Sequence, residues 1–467
     1  MSAQVDPRRA PSAARQRGQA IFLAAVFLLL GISAAIYTTL GSTSFSIASR
    51  QAENDARALA QVKDALIAWS ASRTPTGVSP NIRPGELPCP DINPLDGYED
   101  GSCVAGALGR VPWKTLGIPE PKDEAGETLW YAIAGPFRIY NMSSTPITSD
   151  TLGNIAVYHN PGSTSSTATT LTTQAVAVIF APGASLGTQD RSSSTTMSCT
   201  APSGTMARNL CASNYLEIAV GPSGNINNAT INGPFIQAQS STTPSFNDRL
   251  LVITNADLMP AVERRVAREM MSILEQYRIA TGGDYPSANR ANGNSDGRYN
   301  RHRFPCGVAL PTAWGSGGTP SLPNWLTNGC GSNGWASVIF YAVGRNLLVG
   351  NNCSTCASTT ITCPGTTTTS STTSLTVTNA SSRPADRCPA GASPFTCTPT
   401  VLNNGTANLI LITPGAATSN RASGWPSTLT PISGYFEDSA NNDNDDYNCF
   451  IVPTSTSYDR DRIYVVP

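Results

Sequence analysis

The longest apolar stretch of the chain lies near its N-terminus. It runs from Ala20 to Leu40 without a charged residue, and it follows four arginines, Arg8, Arg9, Arg15 and Arg17. About 20 apolar residues are enough to cross a bilayer as a helix, and basic residues favour the cytoplasmic side. The pattern predicts a membrane helix with the bulk of the chain outside the cytoplasm. A cleaved signal peptide ending near residues 33–35 is the alternative.

Helical periodicity continues beyond this stretch. Apolar residues recur three and four positions apart, separated by charged ones, at Leu59, Val62, Leu66 and Trp69. Such spacing is typical of an amphipathic helix. No proline occurs between Pro11 and Pro75. The sequence therefore predicts one long helix, apolar in its first half and laid on a folded domain in its second.

Four landmarks of the sequence occur twice in the same order. They are an amphipathic helix (50–72 and 257–281), an apolar strand (127–135 and 337–345), a second apolar strand (176–185 and 409–418), and a segment that begins with Phe-Ile and ends in a strand after Asp-Arg (235–254 and 450–467). Repetition in a fixed order predicts two homologous modules. Asp257 as a possible cap and Pro260 in the first turn mark the start of the second helix.

The predicted fold class is α+β. An N-terminal transmembrane helix extends into one helix-plus-antiparallel-sheet module, and a second homologous module follows. The predicted divisions are a basic leader (1–18), the transmembrane helix (19–49), module 1 (50–254) and module 2 (255–467). The second module contains a Cys- and Thr-rich insertion at about 350–400.

Composition places the modules in an oxidising compartment. Charged residues make up 13% of the chain and the net charge is −1, so no nucleic-acid partner is expected. Twelve cysteines and only two histidines favour disulfides over zinc sites. Three local disulfides are predicted across polar, turn-rich loops: Cys89–Cys103, Cys199–Cys211 and Cys306–Cys330. Each would stabilise the fold by roughly 3 kcal/mol.

Two acidic loops are candidate calcium sites. The first carries Asp91, Asn93 and Asp96 around Gly97, and the second, at residues 438–446, includes Asp443, Asp445 and Asp446. Calcium takes six to eight oxygen ligands, which such loops can supply. A solvated turn is the alternative for each loop.

The N-terminus resembles that of type IV pilins, minor pilins and the pseudopilins of type II secretion. The resemblance rests on Arg17-Gly18, on Gln19 to Leu23 and on the apolar helix, and it extends to residues 87–91, 109–113 and 129–132. It implies that prepilin peptidase cuts after Gly18, so that the mature chain begins at Gln19. Most members have glutamate where Leu23 stands; lack of that glutamate resembles the minor subunits thought to cap a fibre tip. Some pseudopilins also bind calcium in comparable loops.

The sequence thus predicts a non-enzymatic, single-pass protein of a bacterial inner membrane, whose apolar helix packs with those of other pilin-like subunits. The outer bulk would lie in the periplasm or in a fibre. A standalone anchored adhesin is the alternative. A hydrolase is a distant third: Gly183 to Gly187 form a G-x-S-x-G around Ser185, but a nucleophile elbow needs a helix after the turn, and the second module has Ala417 in place of the serine.

Overall fold

The computed structural model describes most of the chain between residues 50 and 286 and separate strands beyond. The described ranges are 50–72, 83–101, 103, 107–138, 146–239, 245–283, 285–286, 301–304, 335, 338–343, 361–363, 366–368, 375–379, 406–407, 409–413, 449–452 and 462–466. Several predicted features lie outside these ranges: residues 1–49 with Gly18 and Gln19, and Cys306, Cys330, Asp443, Asp445 and Asp446. Within the described ranges, no helix has both the length and the apolar character needed to cross a membrane.

The described residues combine helices with many short strands. The helices are α1 (50–72), α2 (Trp113–Leu116) and α3 (Asn255–Thr281), with 3-10 turns at Gly135–Phe137, Ser165–Thr167, Arg208–Leu210 and Ala212–Asn214. The strands are β1 (Ala107–Arg110), β2 (Trp130–Ile133), β3 (Ile155–Asn160), β4 (Thr169–Ala175), β5 (Ala177–Ala181), β6 (Thr196–Cys199), β7 (Gly204–Ala207), β8 (Ile218–Gly221), β9 (Gly224–Asn227), β10 (Phe235–Ala238), β11 (Arg249–Ile253), β12 (Arg301–Arg303), β13 (Phe340–Val343), β14 (Ile361–Cys363), β15 (Thr366–Thr368), β16 (Leu375–Asn379), β17 (Thr406–Ala407), β18 (Leu409–Thr413), β19 (Cys449–Val452) and β20 (Arg462–Val466). This mixed α+β architecture confirms the predicted fold class at that level.

The described residues belong to two compact units, which divide between Ala58 and Leu59. In the first unit, the start of α1 carries an exposed ion pair between Arg57 and Glu53, one turn apart. Such pairs contribute little to stability.

In the second unit, the remainder of α1 buries one face. Leu59, Val62 and Leu66 are buried, as the periodicity predicts. The buried stripe continues through Ser70, whereas Trp69 is only half-buried. The sequence had placed Trp69 on this stripe because it continues the three- and four-residue spacing of Leu59, Val62 and Leu66.

A four-stranded antiparallel sheet forms the centre of the first half, in the order β1-β2-β5-β11. All residues of β1, β2 and β5 are buried. A strand covered on both faces reads as a continuous apolar run rather than as an alternation. This burial accounts for the apolar runs at 129–134 and 176–181 in the sequence.

A second four-stranded sheet, β12-β13-β18-β20, has the same strand order and the same register. Tyr131 of β2 and Tyr341 of β13 hold matching positions, each opposite the third residue of the next strand. Arg110 and Arg303, at the ends of β1 and β12, match in the same way. The register agrees with the order of the sequence landmarks, while the boundaries 50–254 and 255–467 stay a prediction.

Two three-stranded sheets also correspond, and they correct one expectation. In β10-β3-β4 and β17-β16-β19 the middle strand pairs antiparallel with one neighbour and parallel with the other. Phe235 lies opposite Val157 and Phe450 lies opposite Val377. The predicted sheets were wholly antiparallel. Parallel pairing is possible here because long connections join the paired strands.

Helix α3 starts and stops with defined signals. Thr254 and Asp257 form a capping box, and Gly282 ends the helix in the left-handed conformation at φ 81°. The cap is therefore Thr254 rather than Asp257, which instead occupies the third position of the helix. Pro260 is the sixth residue of the helix and lies in its second turn, not in the first turn as predicted, because the helix begins at Asn255.

Helix α3 is buried on more than one face. The predicted stripe of Val262, Val266, Met270, Ile273 and Tyr277 is buried, and so is a second set, Met259, Glu263, Ala267 and Leu274. The helix contacts β18, while Lys63 of α1 forms an ion pair with Asp257 at 2.7 Å. Glu263, from the second set, accepts hydrogen bonds from Ser149 and from Thr413, so this side of the helix faces residues of both halves of the chain.

Two of the three predicted disulfides lie within the described residues. Cys89 pairs with Cys103 and Cys199 pairs with Cys211, with Cα–Cα distances of 5.7 and 5.3 Å. Cys89 and Cys103 precede β1, whereas Cys306 and Cys330 fall after β12 in the sequence. The first and third predicted pairs therefore do not hold matching places in the order of strands.

Candidate functional site

The predicted acidic loop at residues 91–101 is anchored at its start. Asp91 forms a two-way backbone bridge with Arg110 at the end of β1, with N···O distances of 3.0 and 2.8 Å. The disulfide between Cys89 and Cys103 encloses the loop. Gly97 turns the chain at φ +86°, and a Cβ on it would meet the Trp113 ring at 2.6 Å. The loop is therefore held at both ends and in its middle.

The carboxylates of this loop serve mainly as acceptors for its own backbone. Asp91 Oδ2 accepts from Gly97 N (2.8 Å), Asp96 Oδ1 from Tyr98 N (2.9 Å), and Asp100 Oδ2 from Ile92 N (2.5 Å) and Asn93 N (2.8 Å). In the described part of the chain, no group of three or more His, Cys, Asp or Glu side chains is arranged to hold a metal ion. The hydrogen bonds of the loop explain its acidic composition without calcium, which stays a prediction here and at residues 438–446.

One oxygen of the loop stands apart. Asp91 Oδ1 is buried and accepts no hydrogen bond. Burial raises the pKa of Asp91 to about 6, against the hydrogen bond from Gly97, and the nearby charges of Asp100 and Asp96 raise it further. A carboxyl group whose pKa is raised on folding stabilises the fold when protonated. That contribution is complete below the ordinary pKa of 3.8 and is lost as the pH rises to about 6.

Asp91→Asn should remove this pH dependence. The amide can still accept from Gly97, and it carries no charge to desolvate. We expect the variant to be more stable than the wild type above pH 6 by roughly 2–3 kcal/mol, with no gain below pH 4. Urea denaturation across this pH range measures the difference. Asp64→Asn, at an exposed position of α1, is the matched control. Equal profiles for wild type and Asp91→Asn would contradict the assignment.

An aromatic surface borders the acidic loop. Lys114 Nζ lies 5.1 Å from the centre of the Tyr98 ring and 5.0 Å from that of Trp113. Tyr98 is 55% exposed and Leu95 is 40% exposed. Cation–π contact holds the rings in place. Trp113 itself is half-exposed.

The G-x-S-x-G turn takes a structural form. Gly183 and Gly187 have positive φ, and Ser185 is exposed between them. Gly183 N donates to Asp123 Oδ2 at 2.7 Å, which fixes the turn. Residues 188–195 contain no helix, so the strand–turn–helix of a nucleophile elbow is not formed here.

A second group of carboxyls was not predicted from the sequence. Glu217 and Asp248 are buried together, with exposed fractions of 6% and 2%. Burial raises the pKa of both, and for Asp248 the charge of Glu217 raises it further. The one available signal was the Asp-Arg pair before each closing strand, Asp248-Arg249 and Asp461-Arg462.

Comparisons with protein-family models, with curated proteins and with solved structures found no match. We therefore argue function from the residues and contacts of this chain alone.

Proposed function

We propose that this chain is a membrane-anchored, pilin-like subunit, a minor pilin or pseudopilin of a type IV pilus or type II secretion-like fibre, placed at or near the tip. The apolar segment from Ala20 to Leu40 anchors the chain and packs with equivalent helices of other subunits. The α+β bulk lies outside the cytoplasm and presents a contact surface. Its work is assembly and contact rather than catalysis.

The order of elements is the observation that carries this proposal. Helix α1 follows the apolar segment within ten residues of sequence, and it buries one face through Leu59, Val62 and Leu66. Small antiparallel sheets come after it. A sequence that is apolar first and amphipathic later suits a subunit that stands in a membrane and carries a globular head.

The cysteines support a location outside the cytoplasm. Both described pairs, Cys89–Cys103 and Cys199–Cys211, are at disulfide distance, and their sulfurs belong to buried residues. Disulfides persist in the periplasm or at the cell surface and are rare in the cytosol.

Processing of the leader tests the proposal directly. We expect the mature protein, extracted from membranes, to begin at Gln19. Gly18→Ala should block the cut and leave the arginine-rich leader in place, whereas Gly31→Ala within the apolar segment should be processed normally. Mass spectrometry of the N-terminal peptide distinguishes these forms. A soluble mature chain beginning near Ile36 would contradict the proposal and indicate an ordinary signal peptide.

Fibre membership separates the proposed function from the standalone adhesin. Sheared fibres from cells expressing the wild type should contain the chain in low copy, and fibres from Gly18→Ala cells should lack it. If a chain processed at Gln19 stays in the membrane and never enters fibres, the adhesin is favoured. In that case, the aromatic surface of Tyr98 and Trp113 becomes the first contact to mutate.

A further inference from the structure

The buried carboxyls of Glu217 and Asp248 lie where several segments of the first half meet. Asp248 directly precedes the closing strand β11, and Glu217 directly precedes the β8–β9 hairpin. Asn228 follows β9 and bonds both the backbone of Ile236 in β10 and the side chain of Asp248. The pair therefore joins β11 to the hairpin and to the neighbouring three-stranded sheet.

Three of the four carboxyl oxygens accept hydrogen bonds. Glu217 Oε2 accepts from the backbone N of Asn247 and of Asp248, at 3.0 Å each, and Glu217 Oε1 accepts from Gln189 at 2.8 Å. Asp248 Oδ2 accepts from Glu217 N (2.9 Å) and Asn228 Nδ2 (2.8 Å). The fourth oxygen, Asp248 Oδ1, is buried and has no partner in this arrangement. A buried acceptor without a partner is costly, but a proton on it would make it a donor.

Two ion pairs of the adjoining turn are formed with other carboxylates. In the 183–191 turn, Arg191 reaches Glu217 only through Gln189 and forms its ion pair with Glu127 at 3.0 Å. Asp190 pairs with Arg208 at 3.4 Å. Residues 218–238 contain no ionisable side chain. From the start of β11, Arg249 is half-buried opposite Ala181. The ion pairs of Arg191 with Glu127 and of Arg208 with Asp190 thus involve neither carboxyl of the pair.

We propose that Asp248 is protonated in the folded protein and donates from Oδ1 to Glu217, so that one shared proton acts as a pH-sensitive latch between β11 and the β8–β9 hairpin. Two ionised carboxylates in contact in a dry site repel each other, and one retained proton converts that repulsion into a hydrogen bond. Each residue's backbone N donates to the other's carboxylate, Glu217 N to Asp248 Oδ2 at 2.9 Å and Asp248 N to Glu217 Oε2 at 3.0 Å, which places the two carboxyl groups side by side. The pair titrates as one coupled system.

The shared proton makes the stability of the folded protein decrease as the pH rises. The folded state binds one proton more than the unfolded state at any pH between the ordinary carboxyl pKa and the raised pKa of the folded pair. In that window, each unit of rising pH reduces the folding equilibrium constant by about tenfold through this group. Loss of the proton weakens the junction and makes the hairpin and β11 the first elements to separate.

Asp248→Asn tests the latch, because its amide oxygen and NH₂ reproduce the acceptor and donor of the protonated acid. We expect the folding equilibrium constant of the full-length wild-type protein to fall about tenfold more per pH unit than that of the variant. Urea denaturation of both proteins, in the same detergent and between about pH 5 and 8, measures this difference in slope. At about pH 8, where Asp91 with its pKa of about 6 is ionised, infrared spectroscopy should detect a protonated carboxyl band in the wild type that the variant lacks.

Asp190→Asn is the matched control, since it makes the same change at an exposed ion pair on the adjoining turn. It should retain both the wild-type slope and the infrared band. Equal slopes for wild type and Asp248→Asn would overturn the proposal. A wild-type spectrum whose protonated carboxyl band survives Asp248→Asn would also overturn it. If Asp91 contributes a slope of its own, it does so equally in both proteins and cancels from the difference.

Discussion

Replacing Trp130 with alanine is expected to lower the free energy of unfolding by about 3–5 kcal/mol. Trp130 lies in β2 with an exposed fraction of 1%. The centre of the Trp130 ring is 5.3 Å from the centre of the Tyr215 ring. The Arg110 guanidinium lies 4.7 Å from the centre of the Trp130 ring. Truncation removes both contacts and leaves a cavity between β-sheet residues that hydrogen bonds hold in place. Chemical denaturation of the full-length protein measures the loss.

Two other aromatic positions show whether the loss comes from burial. Tyr98→Ala, at a 55% exposed ring, should change the free energy of unfolding by less than about 1 kcal/mol. Phe340→Ala should cost an amount in the same range as Trp130→Ala, because Phe340 holds the matching position of the second sheet. A Trp130→Ala protein as stable as the Tyr98→Ala protein would contradict the buried position of β2.

Removing the Cys89–Cys103 disulfide by changing both residues to alanine is expected to cost roughly 3 kcal/mol. The bond closes a loop with a sequence separation of 14, and the two residues are buried. Without the disulfide, the unfolded chain gains conformational entropy, whereas the folded acidic loop does not. The free energy of unfolding therefore falls. Urea denaturation and peptide mapping without reduction follow stability and pairing together.

Reductant provides the control for this change. It should lower the stability of the wild type by more than that of the double variant, which retains only the Cys199–Cys211 pair among the described disulfides. The loop around Asp91 should also become more susceptible to proteolysis in the variant. Two results would show that the bond does not form. One is a double variant that unfolds at the same urea concentration as the wild type, and the other is free thiols at both positions in wild-type protein from an oxidising compartment.

Much of the local structure was predictable because the spacing of apolar residues along the chain indicates which face of a helix is buried. The spacing of Leu59, Val62 and Leu66 predicted the buried face of α1, and Val262, Val266 and Met270 did the same for α3. Apolar runs predicted the strands β5 and β11, of which β5 is buried throughout and β11 in part. Cysteines flanking short polar loops predicted the pairs 89–103 and 199–211, since a short loop keeps its ends within reach in any fold.

Strand pairing was less accessible from the sequence. The parallel contacts of β10 with β3 and of β19 with β16 join residues far apart in the chain. The apolar pattern of a strand is the same whether its neighbour runs parallel or antiparallel to it. The pattern therefore does not specify the direction of the neighbouring strand. The start of α3 was displaced for a related reason: Thr254 and Asp257 are both good capping residues, and only the backbone shows which one precedes the helix.

The sequence by itself determined which segments are helical, which strands are buried and which cysteines close short loops, because each of these depends on neighbours along the chain. Only the tertiary structure decided how the acidic residues are used. From the sequence, the acidic residues were interpreted either as solvated groups or as calcium ligands. Folding instead brings Glu217 and Asp248 together across a separation of 31 residues. In the acidic loop, the Asp91 carboxylate accepts a hydrogen bond from the backbone N of Gly97. Contacts of that kind depend on chain closure, and no local pattern of residues encodes them.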